Sequence, residues 1–290
     1  MNIIGNMFGH QQAKKEIFYN AIRYGVHVIK RHPMLLAKAF LALALGFLIP
    51  FYACALLIAL SGGSLYMHIF FGEPLFISST LVILIGMLGV LGAIAVAATG
   101  YAGIIRFFLE LHDHDNARVA TVFSGLKYTI RSIGLGIVLM IVGLVFVGAN
   151  LLLSEVLSAF GRALQMDFSV LSLTIFILSL ILLGIPLSIR LSYPWYVLVD
   201  RNTSIRAAIE QSWNLTRGFI IWLILLYITF YAPVALLSAL LDAIHPEELP
   251  SALDMLIFQI VPLLISGIVA ICAMCARIRL YRMLQSYHKL

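Results

Sequence analysis

The chain has 290 residues, of which 62% are hydrophobic and only 11% are charged, and its mean hydropathy is +1.03. This composition excludes an ordinary water-soluble domain, which carries about a quarter charged residues because its surface must be covered with polar groups. The formal net charge of +6 predicts attraction to anionic lipid headgroups and no nucleic-acid partner, since no basic stretch carries a nucleic-acid recognition motif.

Six apolar runs predict six transmembrane helices. Each run reaches or exceeds the ~20 residues that cross a hydrocarbon core, and helices are expected because lipid cannot satisfy exposed backbone groups. The runs fall at about 34–60, 75–103, 132–153, 169–193, 218–241 and 255–276. The predicted fold class is an all-α, polytopic membrane helix bundle that forms one membrane domain over 1–290. Residues 1–33 are expected to form an interfacial amphipathic helix rather than a signal peptide, because the first apolar run is too long for one.

Lysine and arginine lie almost entirely on one side of these spans. Arg162 is the only basic residue in a loop on the other side. Because cytoplasmic loops carry the excess of Lys and Arg, both termini are expected to be cytoplasmic. The basic side would then face the anionic headgroups of the cytoplasmic leaflet.

One plan occurs three times along the chain: an amphipathic segment, a span out, a span back, and an arginine at the returning end. The returning ends read Ile105-Arg106, Ile189-Arg190 and Ile278-Arg279. Each arginine can place its guanidinium at the inner interface, because its long side chain reaches from the apolar zone to water. Three hairpins that start and end on the same side predict parallel repeats.

The segments before the spans carry apolar residues at helical spacing, which predicts interfacial helices with the apolar face towards lipid. In the first segment the stripe comprises Ile17, Ala21, Ile22, Gly25, Val28 and Ile29. In the third segment the apolar face comprises Ile205, Ala208, Ile209 and Trp213, with Arg206, Glu210, Gln211 and Asn214 opposite. Asp200 is expected to supply an N-terminal charge and Thr203 or Ser204 the cap. Trp213 is the expected interface anchor.

Small residues predict where the spans pack closely. In the second span Gly89, Ala93 and Ala97 recur four residues apart, beside Gly86 and Gly92, and the sixth span carries small residues around Gly267. Such residues let helix backbones approach, so the second and sixth spans are expected to be central. Four prolines interrupt spans, and they predict either tolerated kinks or hinges. They are Pro50, Pro186, Pro233 and Pro262.

Few residues are candidates for chemistry. The His-Asp-His-Asp run at 112–115 offers metal-ligand types, but its alternation does not suit one helix face and no second cluster completes a shell, which favours a solvated loop. Cys272 and Cys275 have redox spacing inside an apolar span, which favours two buried thiols. No ionisable side chain lies at the centre of a span, which argues against an ion-coupled pump. We predict no cofactor and no metal site, and we expect the chain not to be an enzyme.

Several short stretches resemble a known membrane domain. They are Tyr193-Pro194-Trp195-Tyr196, Trp213-Asn214-Leu215-Thr216-Arg217-Gly218, Phe123-Ser124-Gly125-Leu126-Lys127 and Arg279-Leu280-Tyr281-Arg282. They resemble the membrane domain attached to some bacterial glycerophosphodiester phosphodiesterases, and related stand-alone bacterial membrane proteins. The resemblance implies a six-helix protein of the bacterial inner membrane. It implies neither phosphodiesterase activity, which belongs to a separate soluble domain, nor any catalytic residue.

These features favour a non-enzymatic scaffold or accessory module that acts on lipids or on a membrane protein partner. The predicted interface comprises Asp200, Arg206, Trp213 and Arg217, with Arg106, Arg190 and Arg279 at the returning ends. One alternative is a transporter of an apolar or lipid-like substrate, since three parallel hairpins resemble mitochondrial-type carriers, although their proline–acid–basic signature is missing. A membrane-embedded enzyme is the third hypothesis, for which only residues 112–115 offer clustered His and Asp.

Overall fold

The computed structural model describes residues 2–71, 79–163, 169–244 and 261–287, and within these ranges it is helical with no β-strand. The helices are α1 Asn2–Arg31, α2 Pro33–Leu43, α3 Ile49–Phe71, α4 Ser79–His114, α5 Thr129–Ala163, α6 Ser169–Ser179, α7 Ile185–Arg190, α8 Pro194–Arg201, α9 Ile205–Thr216, α10 Ile220–Ile244 and α11 Val261–Tyr287. Two π-helical turns, Ala44–Leu48 and Leu180–Gly184, join α2 to α3 and α6 to α7, and a 3₁₀ helix, Val119–Tyr128, leads into α5. The predicted all-α class is confirmed.

Six described helical stretches are long and apolar enough to cross a membrane, which confirms a polytopic membrane fold. They are Pro33–Gly63, Leu81–His114, Val119–Phe160, Leu173–Arg201, Ile220–Leu241 and Val261–Tyr287. Helices α4 and α11 continue well past the predicted ends at 103 and 276. They do so because one face stays buried by protein beyond the apolar run, as at Leu111 and Leu284.

The described chain forms two compact units. The first unit is Met34–Gly143 with Val197–Ala208, and the second unit is Met1–Pro33, Leu144–Tyr196 and Ile209–Leu290. Each unit contains one of the two most buried membrane-spanning helices, α4 in the first and α11 in the second. This agrees with the prediction that the second and sixth spans are the most enclosed by protein.

In the first unit α3 packs against α4 through the small residues that the sequence singled out. A Cβ atom added at Gly86 would lie 2.8 Å from Ser61 Oγ, one at Gly89 would lie 3.1 Å from the Cys54 carbonyl oxygen, and one at Gly92 would lie 2.8 Å from Cys54 Sγ. Backbone approach of this kind gives close van der Waals packing where lipid offers no hydrophobic driving force. The expected close packing of this span is confirmed.

In the second unit α11 packs against both α1 and α10. The buried side of α1 includes Phe18, Ala21, Gly25 and Val28, which confirms the predicted stripe within one residue. The prediction that this stripe faces lipid is wrong for these residues, because protein buries them: α1 packs against α11 and α10, with Gly25 against α11 and Phe18 beside Trp222 of α10. This packing is possible because Gly25 has no side chain, so the backbones of α1 and α11 can come into contact.

Two of the four prolines follow a π-helical turn. Ala44–Leu48 ends two residues before Pro50, and Leu180–Gly184 ends two residues before Pro186. Proline lacks a backbone N–H and its ring crowds the carbonyl four residues earlier, and a π turn widens the helix at that place. Helix α10 keeps α-helical geometry around Pro233. Within the described residues these prolines are accommodated inside continuous helices.

A side-chain hydrogen bond joins α5 to α6 in the second unit. Ser179 Oγ donates to Asn150 Oδ1, and Asn150 Nδ2 donates to the Phe146 carbonyl oxygen at 2.8 Å. Replacing Ser179 by alanine leaves the Asn150 oxygen without this donor. We expect S179A to lower the free energy of unfolding by about 1 kcal/mol, measured by unfolding in mixed detergent micelles. The control is S188A, which removes only a bond within one helix turn; equal effects of the two variants would contradict the prediction.

Candidate interaction surface at the arginine ends

Two of the three returning-end arginines lie against aromatic rings of amphipathic helices. The guanidinium carbon of Arg190 is 4.3 Å from the ring centroid of Trp213 in α9, and that of Arg279 is 5.7 Å from the ring centroid of Tyr24 in α1. These are cation–π distances. Arg106, at the same point of its repeat, is partly buried in α4. The rings therefore hold the two charged groups at defined positions beside the helix ends.

In the second unit a glycine sets the distance between α1 and α11. A Cβ atom added at Gly25 would lie 2.5 Å from the Cys272 carbonyl oxygen and 3.2 Å from Ala276 Cβ. Cys272 and Ala276 precede Arg279 by seven and three residues. Only glycine fits a helix crossing this close without a shift of one backbone.

In the first unit the 3₁₀ helix meets α4 in the same way. A Cβ atom added at Gly125 would overlap the Thr99 carbonyl oxygen and would lie 2.7 Å from the Gly103 nitrogen. Thr99 and Gly103 precede Arg106 by seven and three residues. The glycines of the first and second amphipathic segments thus contact a returning helix seven and three residues before its arginine, as the predicted repeat would require.

The third amphipathic segment is attached to its returning helix by a polar contact instead. Ser212 Oγ in α9 donates to the Arg190 carbonyl oxygen at 2.7 Å. Helix α7 ends at Arg190 and the chain turns into α8, so the carbonyl of Arg190 needs a donor that a continuing helix would have supplied. In the third repeat the amphipathic segment still contacts its returning helix, but through a hydrogen bond instead of a glycine.

The predicted apolar face of α9 is divided between buried and exposed positions. Ala208 is buried by protein together with Ser212 and Leu215, whereas Trp213 is 44% exposed. The buried hydroxyl groups are satisfied by backbone oxygens: Ser212 bonds to Arg190, and Thr216 Oγ1 donates to the Ser212 carbonyl oxygen at 2.9 Å. A hydropathy pattern counts both residues as polar and so does not identify the buried face. The exposed residues of α9 and the turn after it include Arg206, Glu210, Trp213, Asn214 and Arg217.

Asp200 lies in the last turn of α8 and is partly buried, because the chain between 194 and 201 forms a helix of its own. Its role as the N-terminal charge of α9 stays a prediction. Of the two predicted caps, Ser204 is the one in position, with its Oγ 3.4 Å from the Ala207 backbone nitrogen. In the first unit Asn202 follows α8 with φ 52° and accepts two hydrogen bonds from Arg131, at 2.7 and 2.8 Å.

The stretch that carries the family resemblance includes buried tyrosines. Tyr193 and Tyr196 are fully buried in the second unit. The ring of Tyr196 lies 5.8 Å from that of Tyr281, and its hydroxyl donates to Met274 Sδ at 3.1 Å. These residues hold α8 against α11 and do not form part of an accessible surface.

One basic side chain of α1 has a structural role that the sequence pattern does not reveal. Lys14 Nζ donates to the Gly218 carbonyl oxygen at 3.0 Å and lies 5.1 Å from the Phe219 ring centroid. Gly218 has φ 78°, a conformation that favours glycine. By contrast Lys15, Arg23 and Lys30 are exposed.

The remaining candidates for chemistry fall within helices. Residues 112–114 form the last turn of α4, so the predicted loop is wrong for them, and His112 Nδ1 lies 3.0 Å from Asp113 Oδ1. No group of three potential metal ligands occurs among the described residues. Cys272 and Cys275 are free thiols in α11, and Cys275 is buried.

Comparisons of the chain with protein-family models, with curated proteins and with solved structures gave no match. The surface is therefore interpreted from its own residues. Its elements are an exposed tryptophan stacked on a fixed arginine, an adjacent exposed arginine at 217, and exposed basic side chains on α1. Aromatic and basic groups in this combination are typical of the boundary between hydrocarbon and headgroups.

Proposed function

We propose that this integral membrane protein is a non-enzymatic module that binds anionic lipid headgroups through the surface around its returning-end arginines. It thereby holds or organises the membrane around itself or a membrane partner. The observation that carries the proposal is Trp213. It is large, apolar and 44% exposed, and its ring is braced by Arg190 at 4.3 Å. An amphipathic ring fixed at the end of a span is suited to the headgroup level of a bilayer.

Charge supports the same interpretation. Arg217 is exposed in the turn four residues after Trp213, and α1 adds exposed Lys15, Arg23 and Lys30. These four exposed basic side chains thus outnumber the nearby acidic residues, such as Glu16 and Glu210. Each basic residue near an anionic membrane surface contributes about 1 kcal/mol of attraction.

The proposal includes a location. The basic loops would lie in the cytoplasm, because the excess of Lys and Arg selects that side during insertion. The sequence resemblance to bacterial membrane domains supports an inner-membrane location as part of this proposal, and the distribution of Lys and Arg supports cytoplasmic termini. Fusion of a reporter active only in the cytoplasm to each end of the chain would test the orientation directly.

The function is tested with the full chain extracted gently from its own membrane through a C-terminal tag. Native mass spectrometry then measures the bound lipids and proteins for the wild type and for the W213A/R217A double variant. We expect the double variant to lose bound anionic lipid, or a stoichiometric partner, by roughly fivefold or more, since one surface charge and one anchor ring are removed.

The matched control is N214A, which changes an exposed polar neighbour of Trp213 without removing charge or an aromatic ring. Its bound lipids and proteins should equal those of the wild type. Unchanged association in W213A/R217A, with the same thermal stability as the wild type, would contradict the proposal. Substrate-dependent flux in proteoliposomes would instead favour the transporter.

A further inference from the structure

Two of the described membrane-spanning stretches contain a π turn, and in each a phenylalanine from another segment lies against a glycine of that turn. In the first unit a Cβ atom added at Gly46 would overlap the ring of Phe123, which belongs to the 3₁₀ helix. In the second unit a Cβ atom added at Gly184 would lie 3.1 Å from Cε1 of Phe146 in α5. Turns of this kind are rare and are frequent at functional sites, so the same pairing in two spans indicates a shared purpose.

The ring of Phe123 in the first unit has a second contact at the π turn. It stacks on the ring of Phe47, the residue after Gly46, with the ring centroids 5.7 Å apart and the ring planes 23° apart. Phe47 in turn lies against α4, where a Cβ atom added at Gly100 would be 3.1 Å from its Cγ. Phe123 is nevertheless 40% exposed, so its ring can leave the turn by rotation of its own side chain.

A proline alone does not produce these π turns. Pro50 and Pro186 each follow a π turn by two residues, but α10 passes Pro233 in α-helical geometry. Helix α10 contains no glycine, whereas both π turns have a glycine with a phenylalanine ring against it. The packing of the ring against the glycine is therefore what distinguishes the two spans that contain a π turn.

A π turn adds one residue to an α-helix, so its loss rotates one part of the helix relative to the other. In the first unit the Ile49 backbone N–H donates to the Ala44 carbonyl oxygen, five residues earlier, instead of four as in an α-helix. An α-helix turns by about 100° per residue, since it has 3.6 residues per turn. If Ala44–Leu48 closed to α-helical geometry, α2 and α3 would rotate against each other by about that angle.

Helix α2 is the part of this span that is able to rotate. Helix α3 is held against α4 by the close contacts at Gly89 and Gly92. In α2 only Leu36 and Ala39 are buried, and a break in the helix precedes Pro33, which lacks a backbone N–H. Helix α2 therefore has a break in the helix at one end and the π turn at the other.

We propose that the π turn Ala44–Leu48 is a hinge and that Phe123 locks it. While the ring lies against Gly46, the π turn persists and Leu36 stays buried. When the ring withdraws, the turn closes to α-helical geometry and α2 rotates by about 100°, which carries Leu36 out of its contact with protein. The corresponding ring and glycine lock the hinge of the second unit in the same way. The hinge does not depend on the proposed lipid-binding function, which concerns the surface of α9.

The test measures the accessibility of position 36 in the full chain in mild detergent. Leu36 is replaced by cysteine (L36C), and peptide mass mapping follows its reaction with N-ethylmaleimide separately from that of the three native cysteines. We expect slow labelling without further changes, since Leu36 is 6% exposed. F123A should raise the labelling rate at least about tenfold, because the rotation exposes this position. L126A is the matched control, since Leu126 is 68% exposed on the same 3₁₀ helix, and it should leave the rate unchanged.

Deletion of Leu45 distinguishes a rotation from a general loosening of α2. Removal of one residue closes the turn and offsets the rotation, so this deletion should leave position 36 slow to react, both alone and combined with F123A. Deletion of Leu45 together with Leu48 leaves the span one residue short and should expose position 36. Fast labelling after the single deletion would overturn the proposal, as would slow labelling in F123A. If F123A fails to fold, the two deletions decide, and equal rates in them would overturn the proposal.

Discussion

Replacing Gly125 by alanine is expected to destabilise the first unit strongly. Among the glycines in the described helices of that unit, only Gly103 is expected to give as large an effect when it is replaced by alanine. The new Cβ would overlap the Thr99 carbonyl oxygen, which belongs to the backbone of α4. A flexible side chain could move aside, but here one helix must shift against the other. Overpacking of this kind costs about 3 kcal/mol. G103A should act alike, because its Cβ would overlap the Val122 carbonyl oxygen from the opposite side.

The controls are G143A and G148A in α5, where an added Cβ meets no atom within 4 Å. Glycine to alanine in an open helix position raises stability by roughly 0.5–1 kcal/mol, because alanine loses less backbone entropy. Unfolding of the four purified variants in mixed detergent micelles gives the comparison. The prediction fails if G125A and G148A unfold at the same detergent ratio.

Hydropathy was sufficient to predict the six spans, but not where the chain touches itself. A run of apolar residues does not distinguish lipid-facing positions from protein-facing positions, because both are apolar. Gly89 and Gly92 could be found, since small residues recur along one side of their span. The partner of Gly125 could not, because it is a backbone carbonyl of Thr99, which leaves no pattern in the sequence.

Polar and charged residues conceal two features of the structure from a hydropathy pattern. Ser212 and Thr216 are buried because their hydroxyls bond to backbone oxygens, so the face of α9 that protein buries differs from the apolar stripe of the sequence, and Trp213 is exposed. Arg277 ended the predicted sixth span, although α11 continues to Tyr287. A charged residue stops an apolar run without stopping the helix, since neighbouring tyrosines can hold its side chain.

Helix α1 packs against α11, the last helix that the structure describes. The 3₁₀ helix and α9 each pack against the returning helix just before them, at Thr99 and at Arg190, whereas α1 lies on α11. The contact between α1 and α11 depends on Gly25, just as the contact between the 3₁₀ helix and α4 depends on Gly125. A larger side chain at position 25 should separate α1 from α11 and leave the rest of the chain folded.

We expect G25L to make α1 sensitive to trypsin at Arg23 and Lys30, with cleavage at least about tenfold faster than in the wild type, since cleavage requires local opening of the helix. The reason is steric: the new Cβ would lie 2.5 Å from the Cys272 carbonyl oxygen, so the backbone of α1 must move away from that of α11. V26L is the matched control, because Val26 is 43% exposed and one residue away. Equal cleavage of G25L and V26L would contradict the prediction, because α1 would then be held by its other contacts, such as Lys14 with Gly218.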